Sequence, residues 1–255
     1  PVLILHGFLE QGAAWDRVAT HIADRHVIAP DQRGHGLSQH VGAGGFYHFW
    51  DYVSDVDALV NHLGGTVDLV GHSMGGTVAT YFAGALKDAV RRLVLIEGLG
   101  PPDLVPVALQ RSRKFLKDLR SPPVHKPMAD VADAVSRMRH WNTTLPAAEA
   151  ERLAHRVTRP HPDGGVVWTW DALHRAASPN PFSAELFLTW IGAITAPTLV
   201  VEGSTSLFRM PDAHTRLEAL QDSRSVTIDG AGHLVHHDRP QALARVISEH
   251  LSQQD

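Results

Sequence analysis

The chain predicts an α/β fold: a mostly parallel sheet flanked by helices, with a mainly helical cap inserted in its second half. Three observations carry that prediction. Short apolar runs alternate with amphipathic stretches through the first hundred or so residues. The alternation breaks at Gly100-Pro101-Pro102 and resumes at Pro197-Thr198-Leu199-Val200-Val201. Finally, 255 residues with 44% hydrophobic and 20% charged side chains suit one globular domain with an elaboration, or at most two domains.

The elements follow in order. Residues 1–5 form an apolar run and read as a buried strand. Residues 12–23 read as a helix, because Trp15, Val18, Ala19 and Ile22 fall on one face. A strand follows at 26–29, then a polar, Gly-rich loop at 31–38. The clearest helix spans 49–63: Phe49, Tyr52, Val53, Val56, Leu59, Val60 and Leu63 recur at three-and-four spacing, and Gly64-Gly65 stops it. Residues 67–70 read as a strand, 71–76 as a turn, 77–86 as a helix and 92–96 as a strand. Gly42-Ala43-Gly44-Gly45 reads as a flexible loop rather than a phosphate cradle, since it follows no strand.

Residues 101–194 contain no buried-strand run and carry four of the six tryptophans. Helices are expected near 107–119, 128–140 and 147–157, so this segment is the predicted cap, with 1–100 and 195–255 as the core. The sheet pattern returns at 197–201, a helix at 211–220, a strand at 225–228, a turn at 230–233 and a closing helix at 239–251. Pro240 is tolerated in the first turn of that last helix.

Composition excludes several classes. A net charge of −4 draws neither nucleic acid nor anionic membrane. No apolar run is long enough to span a membrane. The absence of cysteine removes disulfides, thiolate metal sites and cysteine catalysis. The chain opens on Pro1 and runs straight into a core strand with no charged leader, so no signal peptide is visible. A cytoplasmic place is expected, further residues are expected before Pro1, and secretion stays open.

Gly71-His72-Ser73-Met74-Gly75 matches G-x-S-x-G between a predicted strand and a predicted helix, the context in which that motif presents a nucleophilic serine. Small neighbours are required on so tight a turn. The helix start behind Ser73 offers unpaired N–H groups to a developing negative charge. His6-Gly7-Phe8 follows the first strand, and the N–H of Phe8 can pair with that of Met74 as an oxyanion hole. A hydroxyl needs a base near neutral pH; of 18 histidines, His233, just past the last strand, is best placed. His236 and His237 in the same loop read as exposed or structural.

Together with Asp31-Gln32-Arg33-Gly34-His35-Gly36-Leu37-Ser38 and Gly230-Ala231-Gly232-His233, these motifs resemble the α/β-hydrolase superfamily in order and spacing across nearly the whole chain. The cap resembles no particular enzyme. The resemblance implies a parallel sheet with the cap inserted after the strand ending at Ile96, and an antiparallel hairpin before the strand at Pro1. It also implies that Asp31 and Arg33 organise their loop rather than react.

The family's third catalytic member is a carboxylate orienting the histidine, usually in a G-x-x-D after the strand at 198–201. Here that stretch reads Gly203-Ser204-Thr205-Ser206, and Ser206 cannot act as the acid. Glu97 is the foremost substitute. It ends an apolar strand at the sheet's carboxyl edge, and some relatives, certain haloalkane dehalogenases among them, carry their acid there. Glu202 and Asp212 are the other candidates, and a dyad without an acid is the remaining one.

The resulting expectation is a serine hydrolase of carboxylic esters or related acyl compounds, acting through an acyl-enzyme on Ser73, with no cofactor and no metal. Its partner is a small-molecule acyl substrate. Two alternatives stand beside it: cleavage of a C–C bond next to a carbonyl by the same triad, and a non-catalytic binding protein on the same fold. Epoxide hydrolase and dehalogenase chemistry is disfavoured, because both use an aspartate where this chain has Ser73. A metal held by His233, His236, His237 and Asp238 lacks any recognisable ligand motif. Trp141, Trp168, Trp170 and Trp190 either line an apolar pocket or pack the cap.

Overall fold

The computed structural model describes residues 1–22, 24–42 and 44–253. Ala23, at the end of the helix expected over 12–23, and Ala43, in the expected flexible loop, lie outside the described residues. In chain order the first half holds β1 (Val2–Leu5), α1 (Asp16–Ala19), β2 (Val27–Ile28), α2 (Phe49–His62), β3 (Val67–His72), α3 (Met74–Ala85) and β4 (Val90–Ile96). Next come α4 (Ala108–Arg120), α5 (Val131–Trp141), α6 (Ala147–Val157), β5 (Thr158–Pro160), β6 (Val166–Trp168) and α7 (Ala184–Ile191). The chain closes with β7 (Thr198–Gly203), α8 (Ala213–Glu218), β8 (Ser223–Ile228), α9 (Val235–Asp238) and α10 (Pro240–Leu251).

Six strands form one sheet in the order β2-β1-β3-β4-β7-β8, and every neighbouring pair is parallel. The fold class read from the sequence is the one observed. Both faces of the central strands are covered, which is why β1, β4 and β7 are built on apolar runs, whereas the edge strand β8 is polar and mostly not buried. Successive side chains serve opposite cores. Leu3, Leu5, Leu69, Leu93 and Leu95 pack against α2, α3 and α7. Val2, Ile4, Val70, Val94 and Ile96 pack against Trp15 and the Leu243 and Ile247 face of α10. Each such fully buried aliphatic side chain contributes about 1.5–3 kcal/mol.

Local signals set the helix ends. Asp51 accepts a hydrogen bond from the His48 N–H at the start of α2. At its other end Gly64 takes φ 100°, and the Gly65 N–H returns to the Val60 carbonyl at 2.9 Å. The helix expected over 12–23 is shorter than read: a 3-10 turn at Gly12–Trp15 precedes α1. The segment between β4 and β7 holds helices where they were expected, plus an antiparallel pair, β5 and β6, and α7. Met128, Ala134 and Ala154 form a small core of their own there. Phe187 and Ile191 of α7 instead join the core of the main sheet. Among the described residues no helix is long and apolar enough to cross a membrane.

Candidate active site

The β3–α3 turn sets the first component. Ser73 sits at φ 51°, ψ −114°, a conformation that costs a non-glycine residue about 1–3 kcal/mol. The surroundings hold it there. Its N–H donates to the Ile96 carbonyl at 3.0 Å, and its own carbonyl accepts from the N–H groups of Gly76 (3.0 Å) and Thr77 (3.1 Å). A Cβ on Gly71 would lie 2.5 Å from the Gly75 carbonyl oxygen, so the elbow closes only around a hydrogen atom.

The loops after β4 and β8 bring two more side chains to this point. His233 Nε2 lies 3.0 Å from Ser73 Oγ, and His233 Nδ1 lies 3.2 Å from Glu97 Oε2. With Glu97 ionised, Nδ1–H donates to the carboxylate and Nε2 accepts from the serine hydroxyl. Glu97 follows the last residue of β4 at φ 49° and is only 7% exposed. Its Oε1 accepts from the Gly203 N–H at 2.7 Å, and its Oε2 accepts from the Ser206 hydroxyl at 2.7 Å. Burial pushes this carboxyl up, but hydrogen bonds from His233, Ser206 and Gly203 outweigh it, and the pKa lies below the ordinary glutamate value.

The other acid candidates do not reach His233. Glu202 pairs with Arg209 and Asp212 with Arg216. Phe8 and Met74 line the same chamber as Ser73 and His233. Met74 is the first residue of α3, so its N–H has no acceptor within the helix. Asp31 ties its own loop together, accepting from the N–H groups of Gly12 and Leu37 at 2.8 Å each. Arg33 clasps Asp55 with two bonds of 2.6 Å.

Sequence reasoning passed over a buried network behind the site. Glu10 Oε2 accepts from the Gly7 N–H at 2.8 Å and from His72 Nδ1 at 2.9 Å. His72 Nε2 lies 2.9 Å from the His233 carbonyl oxygen. Both ring nitrogens of His72 therefore face acceptors, and only the imidazolium can donate to both. Burial opposes that charge, but the carboxylate of Glu10 and the His233 carbonyl prevail and raise the pKa. Glu10 Oε1 takes His236 Nε2 at 2.9 Å. One carboxylate thus joins the turn before Phe8, the residue before Ser73 and the loop of His233. Two signals mark it in the sequence: a carboxylate three residues past Gly7, and a histidine at the second position of G-x-S-x-G.

Glu10, His236 and His237 also offer donor atoms within 4.8 Å of one another, the geometry of a metal-ion site. The Nδ1 atoms of both histidines are buried without hydrogen-bond partners. Ligating imidazoles ordinarily have that second nitrogen anchored, so the cluster lacks the outer support of a metal centre. His236 and His237 are buried, and His236 stacks on Trp15 with ring centroids 4.6 Å apart.

Ser73, His233 and Glu97 open into a chamber of about 900 Å³ with a largely aromatic and aliphatic wall. Trp190 lines it, together with Trp50, which sequence reading did not single out. Trp141, Trp168 and Trp170 instead line a separate apolar pocket of about 370 Å³. That pocket adjoins the chamber through Phe8, Glu10 and Leu234.

A sequence profile of the alpha/beta hydrolase fold matches residues 1–240. The chain belongs to the α/β hydrolase family. Among α/β hydrolases of known structure, it is similar to the thioesterase domain from the curacin biosynthetic pathway, at 34% identity and a TM-score of 0.87. That alignment covers 96% of this chain and 90% of the other. It is also similar to the hypothetical protein PA1622 from Pseudomonas aeruginosa PAO1, at 31% identity and a TM-score of 0.89, over 99% of this chain and 92% of that one. Lipase LipV from Mycobacterium tuberculosis is 28% identical over 98% of this chain and 92% of its own length. The serine hydrolase-like protein of Danio rerio is also 28% identical, over 100% of this chain and 82% of its own. The chain is a hydrolase of this family.

Proposed function

We propose that this α/β hydrolase cleaves carboxylic esters or related acyl compounds through an acyl-enzyme on Ser73. The observation that carries the reading is the unbroken path of polar contacts from Ser73 Oγ through His233 to Glu97, at 3.0 and 3.2 Å, at the wall of the chamber. The names of two relatives, a thioesterase and a lipase, support an acyl substrate.

Ser73 Oγ attacks the substrate carbonyl while His233 Nε2 takes its proton. Glu97 holds the ring in the required tautomer and stabilises the imidazolium that forms. The N–H groups of Phe8 and Met74 hold the oxyanion. Collapse expels the leaving group, which takes its proton from His233. Water then attacks the acyl-enzyme with His233 again as base, and Ser73 regains its hydrogen as the acid departs. Residues 101–194 act as a cap on a core of 1–100 and 195–255. They contribute Leu104, Leu173, Phe182 and Trp190 to the chamber and so select the substrate.

A panel of p-nitrophenyl esters of graded chain length, with thioesters, lactones and a C–C substrate beside them, tests the bond class. Reaction with a fluorophosphonate tests the nucleophile. Labelling of the wild type that is lost in Ser73→Ala supports the reading. A folded wild type that takes no label overturns it.

A further inference from the structure

The chamber wall carries a cationic side chain that the acyl-transfer chemistry does not use. Arg111, on α4, is the only arginine or lysine among the described residues that line the chamber. Its side chain is partly buried, and its Nε atom is fully buried without a hydrogen-bond partner. Among the described residues no carboxylate pairs with it.

The helix itself denies Arg111 a partner. Positions three and four residues away hold Val107, Ala108, Lys114 and Phe115, none of them acidic. The one acid of α4, Asp118, is engaged by Lys114 at 2.6 Å and by the Ala177 N–H at 2.8 Å. Asp103, ahead of α4 in the chain, accepts through Oδ1 from the N–H groups of Val105 and Ala184. The two carboxylates within the chamber are also committed, Glu97 to His233 and Ser206, Glu10 to His72 and His236. A guanidinium group with a buried, unpaired nitrogen beside aromatic walls is costly unless an anion completes it. Weak screening in such a place makes it correspondingly attractive to one.

We infer that the substrate carries an anionic group apart from its scissile carbonyl, and that Arg111 binds that group. Arg111 comes from α4 and Ser73 from the β3–α3 turn, and both line the same chamber. Carboxylate, sulfate and phosphate share the planar or tetrahedral oxygen pair that a guanidinium takes in two parallel bonds. The inference rests on the acyl-hydrolase reading above.

The test compares p-nitrophenyl esters whose acyl chains end in a carboxylate, a sulfate, a phosphate or a methyl-capped carboxylate. At least one anionic ester should exceed the capped ester in kcat/KM by roughly 10- to 100-fold, mainly through KM. Arg111→Met should bring that ratio to about one, and Arg111→Lys should keep part of it. The exposed neighbour, as Arg113→Met, serves as a control and keeps the wild-type ratio. The rank among the three anions names the group. A ratio near one in the wild type, or a preference that survives in Arg111→Met, overturns the inference while leaving the ester reading intact. A second measurement does not need turnover: a fluorophosphonate with a terminal carboxylate should label wild type faster than its methyl ester, and Arg111→Met should label equally with both. Failure of every ester and every probe to react overturns the acyl-hydrolase reading with it.

Discussion

Ser206 donates its hydroxyl to Glu97 at 2.7 Å, from the position where the resemblance to the family implies the usual acid. The hydroxyl is itself held, because it accepts from the Phe208 N–H at 3.2 Å. A serine in place of the usual carboxylate is thus a donor to a carboxylate supplied by the neighbouring strand. Ser206→Ala removes that donor and leaves Glu97 Oε2 with only His233. The expected result is a drop in kcat of about 3- to 10-fold, in line with a net loss of roughly 1 kcal/mol for one hydrogen bond. Steady-state kinetics on an active p-nitrophenyl ester reads it. An unchanged kcat would mean that Ser206 does not tune the acid.

Removing the carboxylate itself should be far more damaging. Glu97→Gln keeps the shape but offers His233 Nδ1 an amide that can favour the wrong tautomer. A fall in kcat of about 10³- to 10⁴-fold is expected, as for other triads stripped of their acid. Asp212→Asn, which touches only the Arg216 ion pair, should change kcat less than about threefold. A double variant, Glu97→Gln with Ser206→Asp, returns a carboxylate to the other strand and should recover at least tenfold over Glu97→Gln alone. Small, equal effects of Glu97→Gln and Asp212→Asn would remove Glu97 from the triad.

Which parts of this arrangement can be read in the sequence follows from how local each signal is. β1, β3 and β4 announce themselves as Val, Leu and Ile runs because both faces of the sheet are buried. Ser73 is legible because its turn, flanking glycines and helix lie within a few residues. Glu97 is legible at the end of an apolar strand, where a carboxylate without a partner would be costly. The Glu10–His72–His236 cluster is not, since its members lie 62 and 226 residues from Glu10 and meet only once the strand order is known. β5 and β6 have three residues each, too few for a period to show. The sequence of α7, Ala-Glu-Leu-Phe-Leu-Thr-Trp-Ile, is apolar on most sides and carries little periodic contrast.

The Glu10–His72 pair makes stability depend on pH in a defined way. Burial pushes the Glu10 carboxyl up, but the His72 imidazolium and the hydrogen bonds from His236 and His237 outweigh it and hold it well below the ordinary 4.5; burial pushes His236 itself down to about 3, so that ring is a neutral donor above that pH. Its contribution is therefore present above 4.5 and is lost as pH falls through the depressed value. The His72 pKa is raised above 6.5, so its contribution is present below 6.5 and is lost as pH rises through the raised value. Glu10→Gln breaks the pair at a cost of about 3 kcal/mol. The difference in Tm between wild type and Glu10→Gln should be widest between pH 4.5 and 6.5 and should narrow on both sides. Thermal unfolding across that range decides it, and a difference independent of pH would show that the two groups are not an ion pair.

The elbow gives the last prediction, because its strain and its packing can be separated. Gly71 precedes Ser73 by two residues, and a methyl group there would press on the Gly75 carbonyl at 2.5 Å. Neither backbone can withdraw freely, since Gly71 lies in β3 between β1 and β4 and Gly75 is in the first turn of α3. Gly71→Ala should lower stability by roughly 1–3 kcal/mol, the usual cost of overpacking. It should also slow fluorophosphonate labelling by more than tenfold in molecules that remain folded, because relief of the clash moves Ser73 away from His233. Gly64→Ala tests the alternative that any glycine loss does the same. That site has open space around it but φ 100°, so its cost comes from backbone strain alone. Labelling at the wild-type rate is expected there, with stability lowered by about 1 kcal/mol. If both variants label alike, the elbow does not depend on the close approach of Gly71 to Gly75.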